Sequence, residues 1–403
     1  MKQNNIRQNL SLSEIFRSFL VALSLIFYPL LAMPQNHTEI LYIGTYSENN
    51  SKGLYVMAFN REKLSAETIQ TVHDKKSPTF LALHPEKKYL YAAYREGKDE
   101  NDPAGTIVAY AIDEKTGKLS LINQVSSVGA SPCHISVDPS GQVVFVSHYQ
   151  GGNLSTFKIL ESGGISEAVS FVQHEGSSVH ANQNKPHMHA MIPSHDGNWV
   201  YASDLGIDQI LKYKVNPKKG SVKKDPEIFP VKAGSGPRHF VIHPALPYAY
   251  SVEELSNTVG IYTIEPKNGD LLLLGRVEML SPKIRSDYNA AADIHLSVDG
   301  KWLYASNRGQ DNLAIYQVDQ ETGLLTLQEH VPTGGQHPRN FKVDEKGELI
   351  LVANMESDNV VFFRINDQTG IPEPTGKSIT IPRAVFIEQL FLKYPGPSMG
   401  MAF

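Results

Sequence analysis

The sequence predicts an all-β fold, a seven-bladed β-propeller of four-stranded antiparallel blades. Three observations predict it. One phrase recurs along the chain at a spacing of roughly 50 residues, the length of a propeller blade. Its apolar runs are rich in β-branched and aromatic residues and are bounded by Asp, Pro and Gly turns. Helical periodicity is almost absent after the first 33 residues.

In each copy a small apolar strand leads through a turn into an aromatic-aliphatic strand ending in small residues. Phe80-Leu-Ala-Leu-His-Pro85 leads to Tyr89-Leu-Tyr-Ala-Ala93, and His134-Ile-Ser-Val-Asp-Pro139 to Val143-Val-Phe-Val-Ser147. His189-Ala-Met-Ile-Pro193 leads to Trp199-Val-Tyr-Ala-Ser203, and His239-Phe-Val-Ile-His-Pro244 to Tyr248-Ala-Tyr-Ser-Val252. The last two copies begin at Ile294 and Phe341. A third strand follows, as in Asn312-Leu-Ala-Ile-Tyr-Gln-Val318, then a fourth beyond a Gly turn, as in Thr322-Gly-Leu-Leu-Thr-Leu327. A lone blade leaves both apolar faces exposed, so blades stack and the ring closes on itself. Six copies are plain. Ile40 to Phe59 supplies strands for a seventh, which C-terminal residues near Ile381 to Phe391 complete. One domain, residues 34–403, then accounts for the chain after its N-terminal segment.

That segment has a different character. Lys2, Arg7 and Arg17 precede an apolar run from Phe19 to Leu31, followed by Ala32, Met33 and Pro34. A basic region, a short apolar stretch and a small residue at the break describe a signal peptide over residues 1–33. The run is short for a membrane span; an uncleaved anchor is the alternative. Cleavage places the protein in the periplasm or outside the cell, without stable membrane insertion. If the segment is no signal, the protein is cytoplasmic.

Net charge is −5 over 403 residues, with no long block of one sign. No basic stripe marks a nucleic-acid surface. Cys133 is the single cysteine, so neither an internal disulfide nor a Cys-rich metal site can form. His187 and His189 offer two metal ligands, but no Asp-rich or Cys set completes them, and no metal is expected. No Gly-rich phosphate loop and no Gly-x-Ser-x-Gly elbow is present, so no nucleotide cofactor is expected.

In a propeller the innermost strands line the channel, so polar residues flanking them are the natural site candidates. His134, His187 and His189, Arg238, His295 and Arg339 stand at the starts of inner strands. Glu254, Asn307 and Arg308 follow the second strands. In any one blade such a residue more often satisfies backbone carbonyls. Several blades aiming at one mouth change that balance. Three guanidiniums make an electropositive funnel that suits a carboxylate or phosphate. Glu254 is a candidate base that neighbouring arginines would weaken, and a neutral histidine is its rival.

Four stretches resemble the propeller-type lactonase family, which includes bacterial 6-phosphogluconolactonases and fungal carboxy-cis,cis-muconate cyclases. They are Gly236-Pro-Arg-His-Phe-Val-Ile-His-Pro244, Glu254-Leu-Ser-Asn-Thr-Val259, Ala291-Ala-Asp-Ile-His through Ser306-Asn-Arg308, and Pro338-Arg-Asn-Phe341. The resemblance covers essentially the whole chain after the signal segment. It implies a seven-bladed propeller and metal-independent chemistry on a lactone ring. It also implies catalytic roles for His189, Arg238, Glu254 and Arg308, with His295 and Arg339 at recurrent positions. The expected function is hydrolysis of a sugar lactone, with a small anionic lactone or acid as the ligand. His134, His187, His295, Asn307 and Arg339 are the expected substrate-binding residues. The alternatives are a cycloisomerase of muconate-like acids and a non-enzymatic propeller that binds a ligand or protein.

Overall fold

A computed structural model describes residues 39–73, 77–96 and 103–392. The expected signal segment, residues 1–33, lies outside the described residues. Among the described residues no helix is long and apolar enough to cross a membrane.

Seven antiparallel sheets form the ring, as the repeats require. Blade 1 takes its innermost strand, Ala384–Phe391, from the C-terminus and its other three from Glu39–Thr45, Gly53–Asn60 and Ser65–His73. The inner strands of blades 2 to 7 are Pro78–Leu83, Pro132–Val137, Met188–Pro193, Pro237–Ile242, Ala290–Leu296 and Pro338–Val343. Closure is therefore a zipper between the two ends of the chain, with Glu39 opposite Phe391 and Ile43 opposite Ile387. Arg61 locks the seam by pairing Glu39 at 2.6 Å and Glu348 at 2.8 Å, with Asp344 as a third partner. Blade 4 departs from the pattern. Its outer strand is split into Ser221–Val222 and Glu227–Pro230, which pair opposite ends of the same third strand. The break is short and polar, Lys223-Lys-Asp-Pro226, with a proline that cannot donate to the ladder.

The recurring Tyr of the second strand shows how neighbouring blades are stapled. Tyr42, Tyr91, Tyr201, Tyr250 and Tyr304 each donate a hydrogen bond to a glycine carbonyl in the outer hairpin of the next blade. The acceptors are Gly117, Gly163, Gly269, Gly323 and Gly370, at 2.7 to 3.0 Å. These phenols pack within the apolar layers between blades, buried at or below 1 % exposure. The phrase that repeats in the sequence is thus a stacking device, an apolar ring with a polar tip that finds a partner.

A second device sets what faces the channel. In all seven inner strands the pairing register shifts near the start. Such a bulge leaves a residue unpaired and re-aims its side chain. The first skipped residues are Thr79, Cys133, His189, Arg238, Ala292, Arg339 and Val385. They form the first ring, at what is termed here the front mouth. One residue further on lies a second ring, and two beyond that a third, following the period of two along a strand.

Candidate active site

At the front mouth Glu254 bridges two guanidiniums. Its Oε2 lies 2.9 Å from Arg238 Nε and 2.9 Å from Arg308 Nη2. The Arg238 pair is an ion pair whose N–H is not aligned for a hydrogen bond. Arg238 also donates to Ala292 O, and Arg308 donates to Ala290 O at 3.2 Å and Ala291 O at 3.1 Å. The carboxylate is fixed through its backbone as well: Glu254 N donates to Gly236 O at 2.8 Å, and Ala291 N donates to Glu254 O at 3.2 Å. Both arginines are nearly fully buried, while the Glu254 side chain keeps 14 % exposure. Burial alone would raise the Glu254 carboxyl, but Arg308, Arg238 and Arg339 outweigh it and hold it below the usual carboxylate range. It is therefore a poor proton acceptor, and what it does is orient two cations.

His189 belongs to the same ring. Burial, then Arg238 and His239, pushes its imidazole well below the ordinary range, so it is neutral near pH 7. Its Nδ1 is buried without a hydrogen-bond partner. Tyr149 meets it edge-on at 5.7 Å between centroids and stacks on His187 at 4.4 Å. His187 donates from Nδ1 to Tyr149 O at 2.8 Å, and its backbone N–H donates to Asp204 at 2.8 Å. Asp204 is held by His174 at 2.7 Å, whose other nitrogen meets Tyr213 Oη at 2.8 Å. Cys133 completes this side, and burial pushes its thiol up to about 12, so it is no nucleophile.

Arg339 differs from the other two arginines. Among the described residues it has no carboxylate partner, and its guanidinium lies over the Tyr46 ring at 5.5 Å. Arg95 approaches the same ring at 5.5 Å. The front mouth thus holds a half-buried cation with no carboxylate of its own among the described residues, Glu254 acting on it only through space.

Residues outside the expected set aim these side chains. Asp208, Asp311 and Asp358 sit at left-handed φ of 52° to 53° in the hairpins between second and third strands. Each accepts the N–H of the residue before or near the next inner strand: Gly236 at 2.7 Å, His337 at 2.9 Å and Arg383 at 2.8 Å. Those three residues are themselves left-handed, at 65°, 60° and 53°, which turns the chain into the bulge. An Asp before three of the third strands, in Asp208-Gln-Ile, Asp311-Asn-Leu and Asp358-Asn-Val, was the available signal. Asp208→Ala would orphan the N–H groups of Gly234 and Gly236. We expect a loss of about 1–3 kcal/mol in stability, read from the urea midpoint. An unchanged midpoint would show that the clasp carries nothing.

The expected site residues do not all meet. His189, Arg238, Glu254, Arg308 and Arg339 converge at the front mouth with His187 beside them. His134 and His295 do not. His134 stands in the second ring, one residue past the bulge at Cys133, against Phe80 at 4.3 Å. His295 stands in the third ring, lining a separate cavity towards the back mouth. His295 pairs with Tyr304 as Val241 pairs with Tyr250, and it is Asp293 that takes the second-ring place of His239 in blade 6. Asn307 is fully buried in the wall, where its Nδ2 donates to Asn257 Oδ1 at 2.7 Å, so it faces no ligand. Among the described residues no group of three or more His, Cys, Asp or Glu is arranged to hold a metal ion.

Fold and site together define a propeller whose front mouth is a cationic, carboxylate-braced funnel. A family model for the seven-bladed β-propeller lactonases matches residues 40–389, and the chain belongs to that family. A 6-phosphogluconolactonase of Formosa agariphila is 38 % identical over 336 residues, covering 82 % of this chain and 93 % of the relative. The 6-phosphogluconolactonase of Bacillus subtilis is 32 % identical over 351 residues, covering 87 % and 97 %. The structure of a periplasmic gluconolactonase, PpgL, of Pseudomonas aeruginosa superposes with a TM-score of 0.81 at 28 % identity, covering 88 % and 99 %.

Proposed function

We propose that this protein hydrolyses a sugar lactone carrying an anionic substituent, without a metal, at the front mouth. The observation that carries the reading is the Glu254 carboxylate shared by two buried guanidiniums, with a neutral histidine in the same ring. The two relatives named 6-phosphogluconolactonase support it. Arg339 takes the anionic substituent. Arg308 and Arg238, preorganised by Glu254, stabilise the oxyanion that develops on the lactone carbonyl. His189 accepts a proton as the water oxygen bonds to the carbonyl carbon. The ring C–O bond then breaks, and the departing oxygen takes that proton back. The carboxylic acid so formed ionises, releasing one proton per turnover at neutral pH.

The test is proton release in a pH-stat with 6-phosphogluconolactone and with unphosphorylated gluconolactone. We expect catalysed release with both, stronger with the phosphorylated lactone, and loss of that preference in Arg339→Met. Uncatalysed rates with both lactones would remove the reading. The pH profile follows from the histidine. Because the His189 imidazole is depressed, it is already neutral well below pH 6.5. The catalysed rate is therefore expected to be flat from pH 6 to 8. A limb near pH 6.5 would point to an ordinary histidine instead. Residues 1–33 fit an export signal, so the protein acts outside the cytoplasm; sequencing the N-terminus of the mature protein checks this.

A further inference from the structure

A well-formed cavity lies away from the front mouth. It occupies the back half of the channel, has a volume of about 570 Å³, and opens between Lys87, His195 and Glu345. None of the first-ring residues His189, Arg238 or Arg339 lines it. A packed second ring separates the two ends of the channel. Phe80 meets Phe386 at 3.9 Å and His134 at 4.3 Å, and His239 meets Phe80 at 5.8 Å. Asp293 ties this layer together. It accepts from His239 Nδ1 at 2.7 Å, His295 Nε2 at 3.0 Å, Asn340 Nδ2 at 2.5 Å, and the N–H groups of Ile294 at 3.0 Å and Phe341 at 3.2 Å.

The cavity beyond has two unlike walls. Blades 2, 4 and 5 present Ala82, Ile192 and Val241. Blades 6, 7 and 1 present His295, Lys342 and Glu388 at the same depth. The Nε2–H of His295 is given to Asp293, and its Nδ1 faces the cavity without a partner among the described residues. The His295 side chain is 32 % exposed into this space. Lys342 and Glu388 form an ion pair at 2.6 Å, and Lys87 and Glu345 form another at the rim at 2.7 Å. Each cation is matched by its own carboxylate. The remaining lining carboxylate, Asp293, is taken up by hydrogen bonds from His239, His295, Asn340 and two backbone N–H groups, so the wall offers donors and acceptors but no unpaired cation for an anion.

We propose that this back cavity is a second ligand site, and that it takes an uncharged, polyhydroxylated ring such as a hexose. Such a ring has a C–H face for Ile192 and Val241 and hydroxyls for His295, Lys342 and Glu388. Its size falls well within pockets of about 300–1,000 Å³ that enclose small ligands. A free carboxylate or phosphate would have to break the Lys342–Glu388 pair and is disfavoured. The site stands apart from the hydrolytic reading and does not depend on it.

Ligand-observed NMR titration of the full protein with glucose, and with gluconate as its anionic counterpart, tests the idea. We expect glucose to bind better than gluconate. Ile192→Trp fills the cavity, and His295→Ala removes the unpartnered ring nitrogen; each should weaken glucose binding at least about tenfold. Arg339→Met, at the front mouth, should leave glucose binding intact. Lactone hydrolysis should persist in Ile192→Trp. Absence of glucose binding to the wild type would overturn the proposal. So would preference for gluconate, or binding that survives both back-cavity substitutions and is lost in Arg339→Met. Because the readout is binding, loss of the hydrolytic reading would leave these outcomes unchanged.

Discussion

Glu254→Gln is expected to reduce lactone turnover by at least about a hundredfold and to destabilise the fold by about 3–5 kcal/mol. The reason is the position of the carboxylate between Arg238 and Arg308, 2.9 Å from each. Glutamine keeps the size but loses the charge, and two nearly buried guanidiniums then face each other uncompensated. Arg238 is the more sensitive of the two. Burial, with Arg308 and Arg339 nearby, already pushes its guanidinium down to about 10, and Glu254 is the main opposing influence. Turnover in the pH-stat and a urea midpoint measure the two losses separately. A stable Glu254→Gln variant with near wild-type turnover would show that the bridged pair is structural scaffolding alone.

Acid should destabilise the fold well before the carboxylates titrate. His148 and His239 are held neutral at about 4, chiefly by burial, and His134 and His189 lie well below the ordinary imidazole range. In the unfolded chain each would titrate near 6.5. Between pH 6.5 and 4 the unfolded state therefore binds protons that the folded state refuses, so stability falls as pH falls. A depression from 6.5 to about 4 corresponds to about 3 kcal/mol for one such imidazole at pH 4. Asp293 acts in a different window. Its carboxyl is held well below the usual range by the His295 and His239 contacts, against the effect of burial. Its contribution is complete above about pH 4 and is lost only in stronger acid. The urea midpoint at pH 5 should accordingly be well below that at pH 7.5. Equal midpoints would mean that these imidazoles do not stay neutral in the folded state.

Much of the fold was legible because the apolar phrase repeats in six plain copies, with strands for a seventh, and each blade must bury both faces. The closing strand was legible for the same reason, since Ile381 to Phe391 was apolar and otherwise unpaired. The depth of each channel residue was not. The sequence places His134, His189, His239 and His295 in one frame, as the histidines that open inner strands. The bulges place Cys133, His189, Arg238 and Arg339 in one ring instead. In blade 4, Met188 takes the position that Pro132, Pro237 and Pro338 take elsewhere, so aligning Pro186 with those prolines shifts the frame. A register shift of one or two residues leaves no mark on apolar alternation, yet it separates the front mouth from the back cavity. Arg238, Glu254 and Arg308 were legible as candidates because they flank the inner and second strands and stand in the motifs that resemble the lactonase family. Asn307 is adjacent to Arg308 but points into the wall, as alternate residues of a strand do.

The most direct test of the account is a crystal structure with the product of the reaction, 6-phosphogluconate, soaked into the channel. Its carboxylate should lie against Arg308 and Arg238 and its phosphate against Arg339, with His189 beside the former carbonyl carbon. Density for the acid only in the back cavity, or on the outer faces of the blades, would contradict the front mouth as the place where the lactone opens.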